Sequence, residues 1–263
     1  MSFIEAKSIW KEYGKNVVLE RVSVGVEQGE FITIVGASGC GKTTFLKMLL
    51  GIESPSRGEL LLAGEPLRDE PDPNRGIVFQ KYSVFPHLTT LENVMIAKEL
   101  PESPLTGRLF GSAKREARQE AEAMLDSVGL SHALNKFPAE LSGGMQQRLA
   151  IAQSLISQPK ILLLDEPFGA LDPGIRADMH ELILDLWKKI GITIFMITHD
   201  LKEGFYLGTR LWVFDKVRDD PHDPNSYGAR ITYDIPVGDT NPSLLEEINA
   251  DISAPQDALL ESA

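Results

Sequence analysis

GASGCGKTT, residues 36–44, lies between the apolar run FITIV at 31–35 and the apolar run FLKMLL at 45–50. A short continuous apolar run is typical of a strand that is covered on both faces in a parallel sheet, and the second run has helical character. The sequence therefore predicts a strand, a glycine-rich loop and a helix in succession, which indicates an α/β fold. The loop itself matches the pattern G-x-x-x-x-G-K-[ST].

A loop of this composition binds phosphate. Its glycines let backbone N–H groups curl around phosphate oxygens, and the helix N-terminus adds the positive end of its dipole. Lys42 is predicted to reach the β and γ phosphates of a nucleotide, and the Thr43 hydroxyl to ligate Mg²⁺. The alternative is a chance glycine-rich turn, against which the flanking strand and helix argue. The residues predicted to contact the nucleotide are Gly36, Ala37, Ser38, Gly39, Cys40, Gly41, Lys42, Thr43 and Thr44.

The single cysteine of the chain, Cys40, lies within this loop. A helix N-terminus can lower the pKa of a nearby thiol, which would make Cys40 reactive. The alternative, which we favour, is a small residue that simply fits. One cysteine excludes an internal disulfide and a cysteine-based zinc site.

Two carboxylates end the apolar run ILLLDEP at 161–167. The carboxyl ends of strands in open α/β sheets are where ligands collect. We therefore expect Asp165 to hold Mg²⁺, through water, and Glu166 to act as the general base that polarises the attacking water. Two acids at a strand end can also form a solvated turn, but their occurrence in one chain with a phosphate loop favours the catalytic interpretation.

Three other side chains stand beside predicted strands. His199 closes ITIFMITHD and is predicted to donate a hydrogen bond to the γ-phosphate. Gln80 closes GIVFQ and offers an amide oxygen to the metal. Tyr13 is a candidate to stack on adenine. An isolated histidine or aromatic residue at such a position is more often structural.

The segment LSGGMQQR at 141–148 has the form of a helix start, because Ser142 is a good N-cap and Gly143 and Gly144 leave the first N–H groups bare. It predicts a second anion site in a chain whose phosphate loop already supplies one. A second nucleotide in each chain is one solution. We favour a two-fold dimer, in which the phosphate loop of one chain faces the LSGG segment of the other.

Together with VFQ at 78–80 and ALD at 170–172, these motifs resemble, in order and spacing, the six motifs of the ABC ATPases, and the resemblance covers about residues 3–215. It implies a P-loop NTPase core with a mixed, mainly parallel sheet, an N-terminal antiparallel β subdomain and an inserted α-helical subdomain. It implies ATP and Mg²⁺ as ligands and the hydrolysis of ATP. The implied roles are Tyr13 as the adenine-stacking aromatic, Gln80 as the Q-loop residue, Ser142 to Gln146 as the signature, Asp172 as the dimer-contacting D-loop residue and His199 as the switch histidine.

The same resemblance implies partners. A homodimer would enclose ATP, and Lys81 to Leu88 would receive a coupling helix from an integral-membrane permease, with Phe85 and Leu88 as the apolar contact. A periplasmic solute-binding protein would act indirectly. The chain itself would lie peripherally on the cytoplasmic face of the inner membrane.

QKYSVFPHLTTLENV and ELSGGMQQRLAIAQSLI are most similar to the ATPase subunits of bacterial importers for nitrate, sulfonate, taurine and related solutes. The chain departs from their pattern in an expected surface loop at 100–112, in Gly204, where alanine is usual, and in its acidic tail. The alternative function is a soluble ABC-type ATPase, such as one of iron–sulfur assembly, which is similar in size. A regulator without turnover is disfavoured by Glu166 and His199.

The net charge of −12 argues against a nucleic-acid partner, which would need a basic face. From Asp215 onward eight Asp and three Glu oppose three basic residues, so the acidity is concentrated in the C-terminal segment. No apolar run reaches the roughly 20 residues of a membrane span, and the N-terminus does not resemble a signal peptide.

Helix-forming residues predominate between about 87 and 158. There an amphipathic helix is predicted, and the residues that share its apolar face are Ala117, Ala121, Met124, Leu125 and Val128. One more strand, at 230–235, is expected to pack back on the core. We predict three regions, which are a catalytic core with its β subdomain at 1–86 and 149–215, a helical signature subdomain at 87–148, and a partly disordered acidic extension at 216–263.

Overall fold

The computed structural model describes residues 2–68, 70, 72–79, 84–103, 107–218, 220, 222, 225–239 and 248. The chain divides into two compact units, Met1–Asp69 with Ile197–Ala263, and Glu70–Met196. The three regions expected from the sequence stay a prediction. Among the helices of the described residues, none is both long and apolar enough to span a bilayer.

The regular elements alternate between strand and helix over much of the chain. In chain order they are β1 (Ile4–Tyr13), β2 (Asn16–Val26), β3 (Phe31–Gly36), α1 (Lys42–Leu50), β4 (Arg57–Leu62), β5 (Glu65–Pro66), β6 (Arg75–Val78), α2 (Thr90–Glu102), α3 (Gly111–Ser127), α4 (Gly143–Leu155), β7 (Ile161–Asp165), α5 (Pro173–Ile190), β8 (Thr193–Ile197), α6 (Leu201–Leu207), β9 (Arg210–Asp215) and β10 (Arg230–Pro236). Short 3₁₀ turns lie at Ser131–Ala133, Pro138–Glu140 and Val237–Asp239.

The first unit contains an antiparallel sheet with the strand order β2-β1-β4-β5. β1 pairs with β2 on one side and with β4 on the other. Ile4 and Ala6 of β1 and Val22 and Val26 of β2 are buried, and the residues between each pair are less buried. This alternation is typical of an antiparallel sheet that packs one face on a core.

The strand before the phosphate loop belongs to a second sheet of the first unit, in which β9 lies between β3 and β10. β3 and β9 are parallel, from Ile32 opposite Arg210 to Gly36 opposite Phe214. Every residue of β3 is buried, as predicted for a strand covered on both faces. β10 is antiparallel to β9, which confirms the strand expected at 230–235.

Helix α6 approaches this sheet closely at Gly204. A Cβ atom at Gly204 would lie 2.9 Å from Cδ1 of Leu211. Thr33 of β3 donates its hydroxyl to the Gly204 carbonyl oxygen over 3.0 Å. The glycine that departs from the usual alanine therefore permits close packing of the helix on the sheet.

The second unit contains β6, β7 and β8, of which β7 lies between the other two. β6 and β7 are parallel, from Arg75 opposite Ile161 to Val78 opposite Leu164. α2 packs on α3 and α4. On α3 and directly after it, Ala117, Ala121, Leu125 and Val128 are buried and Met124 is half-buried, as the predicted apolar face requires.

The surface loop expected at 100–112 is shorter than predicted, because α2 extends to Glu102 and α3 begins at Gly111. Pro101 lies in the last turn of α2 and has no N–H to donate to the carbonyl oxygen of Ala97. Ser157 donates its hydroxyl to that oxygen over 3.2 Å. A side chain 60 residues away thus replaces the lost helical hydrogen bond.

Asp234 of β10 holds the β9–β10 pair together, because its carboxylate pairs with Arg210 and accepts the indole N–H of Trp212 over 2.9 Å. We expect Asp234→Ala to lower the free energy of unfolding by about 1–3 kcal/mol, since the N–H of the buried Trp212 and the guanidinium of Arg210 both lose their acceptor. Urea denaturation followed by tryptophan fluorescence measures the change. The control is Glu5→Gln, which breaks an exposed ion pair with Lys7 and should change stability by less than about 0.5 kcal/mol. Equal losses would contradict the prediction.

Candidate functional site

The phosphate loop begins where β3 meets β9. At Gly36 the backbone has a φ of 146°, and a Cβ atom would collide with the carbonyl oxygen of Phe214. At Gly41 φ is 89°, and a Cβ atom would lie 2.7 Å from Cδ2 of Leu19. Both positions therefore require glycine, for steric as well as conformational reasons.

Helix α1 begins directly after this loop, with Gly41 as its N-cap residue. Among the described residues no side chain caps the helix N-terminus. Uncapped N–H groups and the positive end of the helix dipole point toward the loop, which is the arrangement that binds phosphate. Thr43, the predicted magnesium ligand, is exposed in the first turn of the helix.

Lys42 is 5% exposed, an unusual degree of burial for a lysine. Its Nζ donates to the carbonyl oxygens of Gly36 and Ala37, each over 2.7 Å. The ammonium group therefore lies within the curl of the loop. Its position fits a triphosphate, because a buried positive charge needs anionic or carbonyl oxygens around it.

Cys40 is buried within the loop, and its Sγ lies 3.7 Å from Lys42 Nζ. Burial raises the pKa of the Cys40 thiol, and the charge of Lys42 only partly opposes this effect. Since the thiolate is the reactive form, the environment favours an unreactive thiol. This supports the interpretation of Cys40 as a small residue that fits.

His199 lies exposed in the turn between β8 and α6. Its two neighbours in the chain, Thr198 and Asp200, fix this turn by hydrogen bonds. Thr198 donates its N–H to Ile34 of β3 over 3.1 Å and its hydroxyl to the carboxylate of Glu203. Asp200 accepts the N–H groups of Lys202 and Glu203 and so caps α6. The structure thus places His199 on a rigid support beside a phosphate-loop strand.

Tyr13 ends β1 and is 47% exposed. Its hydroxyl donates to the carboxylate of Glu53, and Lys11 Nζ lies 4.9 Å from the ring centroid. Burial and the hydrogen bond and charge of Glu53 raise the pKa of Tyr13 to about 12, and a hydrogen bond with Thr44 opposes them. Glu53 therefore fixes the hydroxyl end of the ring, while about half of the residue stays exposed and available for stacking on a base.

In the second unit, Asp165 ends β7 and Glu166 follows it, both half-buried. Glu166 has a φ of 50°, in the left-handed region that residues other than glycine rarely adopt. Backbone strain of this kind is concentrated at functional sites. Ser8, Arg21, Ala63 and Gln158 have a similar φ, so this strain supports a role for Glu166 only together with its carboxylate at the end of β7.

The LSGG segment forms the N-terminus of α4. Ser142 is the N-cap residue, and its hydroxyl accepts the Met145 N–H over 3.4 Å. A Cβ atom at Gly144 would lie 2.5 Å from Cγ2 of Ile175, while Gly143 is exposed. The Gln146 amide donates to the carbonyl oxygens of Pro138 and Leu141, so its side chain is engaged with the preceding turn.

Asp172, the predicted D-loop residue, is exposed immediately before α5, and its side chain makes no capping hydrogen bond to that helix. Leu171 beside it is buried. Pro173 occupies the first position of the helix, where a missing N–H is tolerated. The carboxylate of Asp172 is therefore presented on a well-defined helix start.

Comparison with known proteins bears on these motifs directly. The sequence model described as ABC transporter matches residues 19–169. The nitrate import ATP-binding protein of Synechocystis sp. is 38% identical over 229 residues, which are 87% of this chain and 80% of that protein. The chain belongs to the ABC transporter family.

Two further similarities extend this finding. The spermidine/putrescine import ATP-binding protein of Nitrosomonas eutropha is 39% identical over 217 residues, and the match spans 82% of the ABC chain and only 57% of that relative's length. A dimeric structure of the ATP-binding cassette MJ0796 bound to ADP and Pi is 29% identical, with a TM-score of 0.69, over 89% of this chain and 98% of that one. The predicted family and fold class are confirmed, and the predicted ATPase class agrees with them.

The region predicted to contact a permease is described in part. Gln80 and residues 81–83 lie outside the described residues, whereas Phe85 is 37% exposed and Leu88 is half-buried. Sequence reasoning missed Asn93 on α2, whose side chain fixes the backbone of the turn from Phe85 to Leu88. Asn93 is buried; its amide donates to the carbonyl oxygens of Phe85 and Leu88 over 3.0 Å, and its oxygen accepts the Phe85 N–H over 2.7 Å.

We expect Asn93→Ala to release this turn, because several hydrogen bonds to one buried amide are lost together. Stability should fall by about 2–4 kcal/mol. Amide hydrogen exchange at Phe85 should accelerate by about tenfold or more, since its N–H loses its acceptor. Exchange measured by NMR or mass spectrometry tests this. Asn135→Ala, at an exposed asparagine of the same unit, is the control and should leave the Phe85 rate unchanged. A protected Phe85 amide in Asn93→Ala would refute the role.

Proposed function

We propose that this chain is the ATP-hydrolysing subunit of a bacterial importer for a nitrate-, sulfonate- or taurine-like solute. The observation that carries the proposal is the phosphate loop, where two obligatory glycines and the buried ammonium of Lys42 form a cradle for phosphate. The nitrate import relative supports the solute class. A polyamine is the second candidate solute, which the spermidine/putrescine relative supports.

The chemistry follows from the side chains of the chain itself. The N–H groups of the loop and of α1 bind the phosphates of ATP, and Lys42 turns from the Gly36 and Ala37 carbonyls to the β and γ phosphates. Glu166 accepts the proton of the attacking water. His199 donates a hydrogen bond to the γ-phosphate from its fixed turn. The ring of Tyr13 stacks on adenine.

A magnesium ion fits the available donors. The Thr43 hydroxyl and the Asp165 carboxylate are hard oxygen ligands of the kind that Mg²⁺ prefers, and a few ligands suffice because water and phosphate complete the shell. When bound, Mg²⁺ would neutralise the negative charge that develops on the phosphates during hydrolysis. Gln80, the third proposed ligand, lies outside the described residues.

The second anion site at the start of α4 supports a dimer. In this proposal Ser142, Gly143 and Gly144 of one copy contact the γ-phosphate held by the other copy, and Asp172 contacts the partner chain. The dimeric cassette that is 29% identical supports this arrangement. ATP then closes the dimer, and hydrolysis opens it again.

The turn clamped by Asn93 supports an interface with a membrane permease. It presents Phe85 to solvent, and an exposed aromatic beside a rigid turn suits a helix-docking contact. Closing the dimer draws the two permease contacts together. The chain therefore lies peripherally on the cytoplasmic face of the inner membrane, and a periplasmic solute-binding protein acts through the permease. The alternative of a soluble iron–sulfur assembly ATPase is not favoured, since the relatives above are import proteins.

Glu166→Gln should reduce ATP turnover by about 10²–10⁴-fold, because the general base is removed. Nucleotide binding and an ATP-dependent dimer should persist, since the amide keeps the shape of the carboxylate. Phosphate release and light scattering after size exclusion measure the two properties. Glu122→Gln, which breaks an ion pair on α3, is the control and should match the wild type. Full turnover in Glu166→Gln, or no dimer with ATP, would refute the mechanism.

Purification of the tagged chain from detergent-solubilised membranes should recover integral-membrane proteins, because the proposed permease partner is itself an integral-membrane protein. Mass spectrometry identifies them. Asn93→Ala should reduce the recovery, as the contact turn loses its support. Recovery of soluble scaffold proteins alone would favour the iron–sulfur alternative.

A further inference from the structure

A segment after β9 docks along β2, and it has no part in the function proposed above. This docking segment consists of residues 225–230. Val17 of β2 donates its N–H to Asn225 over 2.9 Å, Ala229 donates to Val18 over 3.0 Å, and Glu20 donates to Ala229 over 2.9 Å. Leu19 and Ala229 form a parallel bridge. The docking segment is therefore held along the free edge of β2 by three backbone hydrogen bonds and one parallel bridge.

Glu20 secures the docking segment by its charge. Glu20 is 4% exposed and pairs with both Arg218, which precedes the segment, and Arg230, which ends it. The Gly228 N–H also points to its carboxylate, at 3.4 Å. Arg218 in turn lies 4.3 Å from the ring centroid of Tyr227. Removal of these cations would leave a buried carboxylate unpaired, which costs more than the loss of an exposed ion pair.

Burial alone would raise the pKa of the Glu20 carboxyl, but the hydrogen bond and charge of Arg230 and the charge of Arg218 outweigh burial and lower it. A lowered pKa means that the ionised form stabilises the folded state above the ordinary pKa of the carboxyl and loses this effect as pH falls through the folded value. The cluster is therefore intact at neutral pH.

Two side chains of β2, Val18 and Leu19, lie against the phosphate loop. A Cβ atom at Gly41 would lie 2.7 Å from Leu19 Cδ2 and 3.0 Å from Val18 Cγ1, so these side chains press on the loop glycine. On the opposite side, a Cβ atom at Gly228 would lie 2.8 Å from the Leu19 carbonyl carbon. Leu19 is thus packed between the docking segment and the phosphate loop. β2 also begins beside Tyr13, which pairs with Asn16.

We propose that Glu20, together with Arg218 and Arg230, is a positioning residue for nucleotide binding. The ion cluster holds the docking segment against β2, β2 holds Val18 and Leu19 against Gly41, and Gly41 sets the start of α1. Because phosphate is bound by backbone N–H groups in fixed directions, a small displacement of this glycine weakens several hydrogen bonds at once. The inference rests on the proposal that the loop binds nucleotide.

The β9–β10 pair offers a matched control at its other end. Arg210, the partner of Asp234, lies opposite Ile32, four residues before Gly36 and about 13 Å from it along the strand. Asp234→Ala therefore removes an ion pair near the far end of β2, where Arg210 also donates to the Gly25 carbonyl oxygen, and it leaves the contacts of Val18 and Leu19 with Gly41 in place. It separates a general loss of stability from a specific effect on the loop.

The experiment compares Glu20→Gln, Arg218→Gln and Asp234→Ala with the wild type. Isothermal titration with Mg-ADP, which is not hydrolysed, gives the Kd, and steady-state ATP hydrolysis gives KM and kcat. We expect Glu20→Gln to raise the Kd and KM by about fivefold or more, the effect of roughly one lost hydrogen bond, with kcat changed less than about twofold. Arg218→Gln should do so more mildly, and Asp234→Ala should leave the Kd unchanged while lowering the melting temperature.

Two results would overturn the inference. One is a wild-type Kd in Glu20→Gln, and the other is an equal rise of the Kd in Asp234→Ala. Should Glu20→Gln not fold, Arg218→Gln decides the question, because Arg218 is half-exposed and its loss is better tolerated. Restoration of the Kd by Arg230→Lys relative to Arg230→Gln would support the role of charge. Failure of the wild type to bind Mg-ADP would refute the proposed function itself, which keeps the two outcomes distinct.

Discussion

The carbonyl oxygen of Phe214 lies so close to Gly36 that no side chain fits between β9 and the first residue of the phosphate loop. The constraint determines the path of the phosphate loop. Because β3 and β9 stay paired up to this point, the loop leaves the sheet abruptly and curls back over its own start. Lys42 can then reach the Gly36 carbonyl, and Cys40 fills the small space beside it. The anion cradle is thus a consequence of close strand pairing.

The parts of the fold that depend on local pattern could be predicted from the sequence. β3, β7 and β8 are short apolar runs, and the glycine-rich loop has a spacing that few other structures require. The exact ends of helices were less predictable. Pro101 suggested a loop, yet α2 continues through it because Ser157 supplies a hydroxyl from elsewhere in the chain. Periodicity carries no information about such a distant donor.

The buried polar residues that support the site were not predictable either, because their hydrogen-bond partners depend on the folded structure. Asn93 and Thr198 are ordinary polar residues in the sequence, and only the folded structure buries them against the turns that carry Phe85 and His199. Both turns follow one design, in which an exposed functional side chain stands on a backbone fixed by a buried polar one. Precision at such sites comes from the supporting residues. The motifs identified the exposed groups, and the structure identified what holds them.

At Glu166, the left-handed backbone conformation and the proposed ATP hydrolysis favour different residues. Glycine would adopt this conformation without strain, so the backbone alone favours the loss of the side chain. The proposed chemistry requires the carboxylate, which only a strained residue can supply there. An engineer who selects this protein for heat resistance will therefore meet a position at which the most stable choice is an inert one.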